Sequence, residues 1–259
     1  MTNKLHLILN RERFTDFIEK LQNLSSIDDT IKIKIDSENI FMYSMLSNDS
    51  AVLALKNYIM PTNYYIDNFK SDETFDFIIT GAGKFVKNLK FFNASYDIKL
   101  DMSYKKSDEP AMHIRSAQFS NNKLKISCIG SELSKIKDMN KKSFLSLLDV
   151  KNSKWNFKIS LEDFSNVKKL SSINSEDKII NIKVNNNGKV YFIEEQKWEL
   201  EVDETEIDSE KFLTFSKKYL SNIDSNSDII NFNIFETFIL VKDVNSNLML
   251  SFEQTYDED

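Results

Sequence analysis

Between residues 10 and 24 the apolar positions are Phe14, Phe17, Ile18, Leu21 and Leu24. Steps of three and four predict one buried stripe of an amphipathic helix. Ser25-Ser26 and Asp28-Asp29 end it. The alternation then tightens. Ile31, Ile33 and Ile35 are separated by Lys32 and Lys34, which predicts a half-buried strand. Asp36-Ser37-Glu38-Asn39 reads as a turn, 40–46 and 51–60 as strands, and Pro61-Thr62-Asn63 as a break. Segments 64–69 and 74–79 read as strands. Gly81-Ala82-Gly83 opens a helix over 84–92, and strands follow near 96–104, 111–118 and 123–129.

The second half repeats this order. Segment 155–159 reads as a strand, and 161–170 as a helix carrying Leu161, Phe164, Val167 and Leu170. Ile180, Ile182 and Val184 alternate as Ile31, Ile33 and Ile35 do. Asn185-Asn186-Asn187-Gly188 is a hairpin turn, because Asn and Gly tolerate positive φ. Strands follow at 190–196 and 198–202, then a helix over 209–221, then strands at 229–235, 238–242 and 248–252. Lys84-Phe85-Val86 opens one late helix and Lys211-Phe212-Leu213 the other, which points to duplication of a single unit. The units are taken as 1–129 and 154–259, joined by a connector at 130–153 whose apolar half docks on a surface or pairs at a sheet edge. The first unit must then carry about twenty extra residues near 57–71.

Charge sharpens this picture. On a helical wheel Lys84, Lys87 and Lys90 lie opposite Phe85, Leu89 and Phe92. In the second late helix Lys211, Thr214, Lys217 and Lys218 form the outer stripe, opposite Phe212, Ser216, Tyr219 and Leu220. The four helical windows carry +5 together, whereas the whole chain carries −6, so the remainder carries −11. Basic helices on an acidic body direct a polyanion to one surface. Arg11, Arg13, Lys20, Lys168 and Lys169 are weaker candidates, because acids share their helices.

Composition sets outer limits. An apolar fraction of 41% with 20 phenylalanines supports packed cores. No apolar run approaches a membrane span, and the N-terminus lacks a secretory h-region. One cysteine, Cys128, forbids an intrachain disulfide and favours an intracellular setting. Four glycines cannot build a phosphate-cradling loop, and His6 and His113 with a lone cysteine do not form a zinc ligand set. His113, within a strand-like segment, reads as structural.

On these features the chain resembles a DNA polymerase sliding clamp of the two-domain, trimeric type. The residues that carry the resemblance are the Phe14–Leu24 helix followed by Ile31, Ile33 and Ile35, and the run Met42-Tyr43-Ser44-Met45 continued by Ser47, Asp49, Ser50, Ala51 and Val52. That run is similar to a strand and loop of proliferating cell nuclear antigen. The Lys-Phe openings of the late helices and the run from Glu236-Thr237-Phe238 to Glu253, similar to the end of T-even phage clamps, complete it. The Asn/Lys-rich composition leans toward a phage clamp. The longer, more basic connector departs from the eukaryotic type.

The resemblance implies an α+β fold of two similar clamp domains, with antiparallel sheets outside and two helices each on the inner face. Three chains would close head to tail into a pseudo-six-fold ring around duplex DNA, with sheets running across the subunit boundaries. It implies no catalytic centre and no cofactor. Its partners would be a DNA polymerase and an ATP-dependent clamp loader, acting in the cytoplasm of an infected host if the gene is a phage's. Lys84, Lys87, Lys90, Lys211, Lys217 and Lys218 would face DNA. Met45, Leu46, Ala51, Phe144, Leu145, Leu147 and Leu148 would form the partner groove. Three other readings stay open: a monomeric clamp-like processivity factor, a β-rich phage structural protein, and an enzyme using the carboxylates at Asp28-Asp29, Asp108-Glu109 or 201–208. Acidic clusters of that kind read more simply as solvated loops.

Overall fold

A computed structural model describes residues 2–9, 11–48, 52–66, 75–90, 98–105, 116–120, 125–128, 146, 148–173, 178–194, 196–207, 209–224 and 227–252. The chain divides into two units. Unit 1 is Met1–Ser47 with Leu55–Asn140, and unit 2 is Asn48–Ala54 with Lys141–Asp259.

Unit 1 runs β1 (Thr2–Leu9), α1 (Arg11–Ser25), β2 (Thr30–Ile35), β3 (Asn39–Ser47), β4 (Val52–Pro61), α2 (Thr62–Tyr65), β5 (Phe75–Thr80), α3 (Ala82–Leu89), β6 (Ile98–Lys105), β7 (Ser116–Ser120) and β8 (Lys125–Cys128). The residues Val52, Leu53 and Ala54 that open β4 are grouped with unit 2. The strands are ordered β1-β6-β7-β8 and β5-β2-β3-β4. The stripe read from the sequence of α1 is the one buried: Phe14, Phe17, Ile18, Leu21 and Leu24 are each at most 7% exposed. They pack with Ile31, Ile33 and Ile35 of β2 and with Phe85, Val86 and Leu89 of α3.

Unit 2 follows a 3-10 turn at Val150–Asn152. It runs β9 (Trp155–Ser160), α4 (Leu161–Ile173), β10 (Ile179–Val184), β11 (Lys189–Glu194), β12 (Trp198–Glu204), β13 (Lys211–Ser216), a 3-10 helix (Lys217–Asn222), β14 (Ile229–Ile234), β15 (Phe238–Lys242) and β16 (Ser246–Ser251). Its strands are ordered β9-β14-β15-β16 and β13-β10-β11-β12. Strand for strand, this repeats the connectivity of unit 1. An aromatic cluster fills the core. Phe157 stacks on Phe232 with ring centroids 4.8 Å apart, and Phe192 and Phe164 lie 5.8 and 6.3 Å from Phe232.

Local chemistry sets the element ends. Asp29 prepares α3, its carbonyl accepting from the Ala82 amide at 2.9 Å and its Oδ1 from the Gly83 amide at 3.0 Å. Ser160 and Asp163 cap α4: the Asp163 amide donates to Ser160 Oγ at 3.0 Å, and that hydroxyl donates to Asp163 Oδ2 at 2.6 Å. The β10–β11 turn is held by Asn185 Oδ1, which accepts from the amides of Asn187 and Lys189 at 2.9 and 3.0 Å. Gly188 takes φ +78°, and a Cβ there would stand 2.3 Å from the Thr205 carbonyl oxygen.

Three sequence expectations need correction. The strand expected at 64–69 begins instead as α2, because Pro61 sets the entry φ and the Thr62 amide and hydroxyl bond the Glu38 and Asp36 carbonyls. Strand β1 has no counterpart among the expected elements, although Leu5, Leu7 and Leu9 alternate; it pairs antiparallel with β6. The helix expected over 209–221 is the edge strand β13 followed by a 3-10 helix, so this segment supplies no α-helix. The alternating Leu213 and Phe215 pair with Ile182 and Ile180 of β10, so edge pairing and burial override a helical pattern. Among the described residues no helix is long and apolar enough to cross a membrane.

Candidate nucleic-acid interface

Helix α3 separates its faces cleanly. Phe85, Val86 and Leu89 are buried, whereas Lys84, Lys87 and Lys90 are exposed. The Lys90 ammonium, just past the helix end, donates to Gln22 Oε1 of α1 at 3.0 Å. Arg11 opens α1. The Arg13 guanidinium sits 5.0 Å from the centre of the Tyr64 ring, within cation–π range. Lys20 turns inward. It pairs with Asp16, and its side chain is 15% exposed. Asp16 also accepts from the Tyr65 hydroxyl. Burial, then the bond to Asp16, push the Tyr65 phenol far above its ordinary pKa.

Unit 2 distributes its cations differently. Lys211 is exposed, but on β13 rather than on a helix. Phe212, placed on an inner stripe by helical spacing, is 50% exposed. Lys217 opens the 3-10 helix and bends back. Its Nζ lies 3.4 and 3.3 Å from the two carboxylate oxygens of Glu194. Glu194, 3% exposed, is also reached by Lys197 Nζ at 3.5 Å and by the Trp198 indole N–H at 3.0 Å. Lys168 Nζ donates to the Ile223 carbonyl at 3.2 Å and lies 4.6 Å from the Phe164 ring centre. Lys218 is exposed beside Tyr219. Lys169 is exposed and lines an open cleft with Glu162 and Asp228.

The Glu194–Lys217 pair is not among the sequence expectations. The signal for it is an acid at an inward position: Val190 and Phe192 alternate with Glu194 on the buried face of β11.

Met45 and Leu148 are buried and Leu46 is half-buried; Ala51, Phe144, Leu145 and Leu147 lie outside the described residues, as do Asp108-Glu109, His113, residues 130–145 of the connector and residues 253–259. Three of the candidate carboxylates, Asp28, Asp203 and Glu201, have structural partners. Asp28 Oδ1 accepts from the Thr30 amide at 3.0 Å, and Asp203 Oδ2 from the Lys158 amide at 2.6 Å. Glu201 accepts from Lys189 Nζ at 2.9 and 3.1 Å and from the Tyr191 hydroxyl at 3.2 Å. The lysine bond holds the Glu201 carboxyl below its ordinary pKa and raises that of Lys189. Among the described residues no group of three or more His, Cys, Asp or Glu side chains could hold a metal ion.

No family model matches the sequence, and no curated protein matches it. Solved structures do. The chain superposes on the Helicobacter pylori beta clamp bound to a DNA ligase peptide with a TM-score of 0.65 at 11% identity, over 99% of this chain and 68% of that one. The same clamp in complex with 3,4-difluorobenzamide gives 0.64 at 11%, over 99% and 66%. The PCNA2–PCNA3 complex of Sulfolobus tokodaii gives 0.62 at 11%, over 97% of this chain and 99% of that one. The chain thus has the DNA sliding clamp fold. It spans about two thirds of the length of the beta clamps and nearly all of the PCNA chain.

Proposed function

We propose that this chain is a sliding clamp that encircles duplex DNA and tethers a DNA polymerase for processive synthesis. Three copies close head to tail, and an ATP-dependent loader places the ring on DNA. The observation that carries the reading is the clamp fold combined with a helix, α3, that presents three exposed lysines opposite its buried face. Lysine–phosphate attraction is independent of sequence, so it holds DNA without fixing a register. Lys84, Lys87 and Lys90 are the principal contacts, with Arg11, Arg13, Lys169, Lys211 and Lys218 in support. Lys20, Lys168 and Lys217, engaged within their own units, are not counted among them.

Ring closure needs two sheet edges that fit one another. Strands β8 and β12 end their four-stranded sheets, the first carrying Lys125 with Lys123 just before it, the second carrying Glu199, Glu201, Asp203 and Glu204. Opposite charge on the two edges supports a joint between β8 of one copy and β12 of the next.

Light scattering after size exclusion should give about three times the 30.3 kDa chain mass, and the protein should lengthen the products of a loader-assisted polymerase on primed circular DNA. A strictly monomeric mass with preserved polymerase stimulation would instead establish a clamp-like monomer. Neither trimer nor stimulation would leave a structural protein.

A further inference from the structure

The shared connectivity puts α3 and the 3-10 helix at equivalent places, each between the fifth and sixth strands of its unit. Their chemistry differs. In unit 1 the segment presents Lys84, Lys87 and Lys90 to solvent. In unit 2 the lysine that opens it, Lys217, is 11% exposed and chelated by a carboxylate that is 3% exposed. Moving Lys217 toward a phosphate would take one of two lysines from a nearly buried anion, leaving it Lys197 at 3.5 Å and the Trp198 N–H at 3.0 Å, and such thinning of a buried charge's compensation is unfavourable. On α4, Lys168 is likewise turned onto a backbone carbonyl.

Resting on the clamp reading above, we infer that the two units do not share DNA equally: α3 of unit 1 carries the larger phosphate contact, the equivalent segment of unit 2 offers exposed Lys218 in its place, and Glu194 is a positioning residue that withholds Lys217. The grip then repeats once per subunit rather than once per unit. Phosphates along the duplex meet alternating strong and weak segments as the ring slides.

The test measures association of the intact protein with a short fluorescent duplex across a range of salt. Replacing Lys84 and Lys87 with Gln should flatten the slope of log K against log salt by about 0.9 for each phosphate no longer neutralised. The paired change Glu194→Gln with Lys217→Gln, which leaves the site's net charge as it was, should leave the slope unchanged. Equal flattening by both variants overturns the asymmetry and leaves the clamp reading standing. No salt-dependent association of the unaltered protein overturns both. A second measurement needs no variant: amine labelling read by mass spectrometry. Lys84 and Lys87 should react freely and be protected by the duplex, whereas Lys217 should react poorly with or without it. Protection of a readily labelled Lys217 by the duplex overturns the inference.

Discussion

Whether a lysine can meet a phosphate depends on what already holds it. Lys84 and Lys87 stand in solvent, whereas Lys20 has Asp16 and Lys217 has Glu194. Sequence spacing makes all four candidates for a DNA-facing surface, because a wheel records direction and not partners. Asp16 is the clearest case, since it serves both Lys20 and the buried Tyr65. The raised Tyr65 pKa has a stability consequence of fixed sign. In the unfolded chain the phenol titrates near 10.0, while the folded protein keeps its proton to higher pH. The contribution is therefore complete below pH 10 and declines as pH rises above it. Tyr65→Phe should cost about 1.5–3 kcal/mol at neutral pH, the usual worth of a hydrogen bond to a charged group. Denaturant titrations should show the gap between the two proteins narrowing above pH 10. A gap that stays constant would mean that the phenol titrates normally in the fold.

At the scale of elements, legibility follows the strength of the period. The α1 stripe and the Ile31-Ile33-Ile35 alternation are plain in the sequence because five and three positions agree on one face, and burial follows them residue by residue. Segment 211–216 misleads because Lys, Phe and Leu suit either state over so few residues. What decides is Ile180 and Ile182 across the ladder, about thirty residues away, and no local pattern reports them. Strand β1 is hard to see although Leu5, Leu7 and Leu9 alternate, since its partner β6 is also distant in sequence. The aromatic contacts of unit 2's core are visible only as composition: 20 phenylalanines promise aromatic packing without saying which will meet. Phe232 proves central, its ring lying 4.8 to 6.3 Å from those of Phe157, Phe192 and Phe164. Phe232→Ala should destabilise by about 3–5 kcal/mol, because three rings fixed in separate elements cannot collapse onto the void. Urea unfolding followed by tryptophan fluorescence reads this, with Trp155 stacked on Phe157 as the reporter. A change below about 1 kcal/mol would place the cluster outside the cooperative core.

For the whole molecule, duplication is legible in the amino-acid order, but its register is not. Matching Lys211 to Lys84 pairs an edge strand with a helix; by connectivity the counterpart of α3 begins at Lys217. The duplicated plan also leaves strand edges that must be covered or joined, since an open edge invites further pairing. If β8 of one copy meets β12 of the next, their charges take part in closing the ring. Glu199 is the residue to test: it is exposed on β12, whereas Glu201 is already bonded to Lys189 and Asp203 to the Lys158 amide. Glu199→Lys should weaken each joint by roughly 0.2–1 kcal/mol, the range for opposed cross-strand charges, and the effect recurs at every joint of the ring. Light scattering over a dilution series should then show dissociation beginning at higher protein concentration than in the unaltered chain. Adding Lys125→Glu should restore assembly, because the two edges would again carry opposite signs. A trimer indifferent to both changes would move the joint to other strands, and a second change that weakens assembly further would show that the two residues act separately.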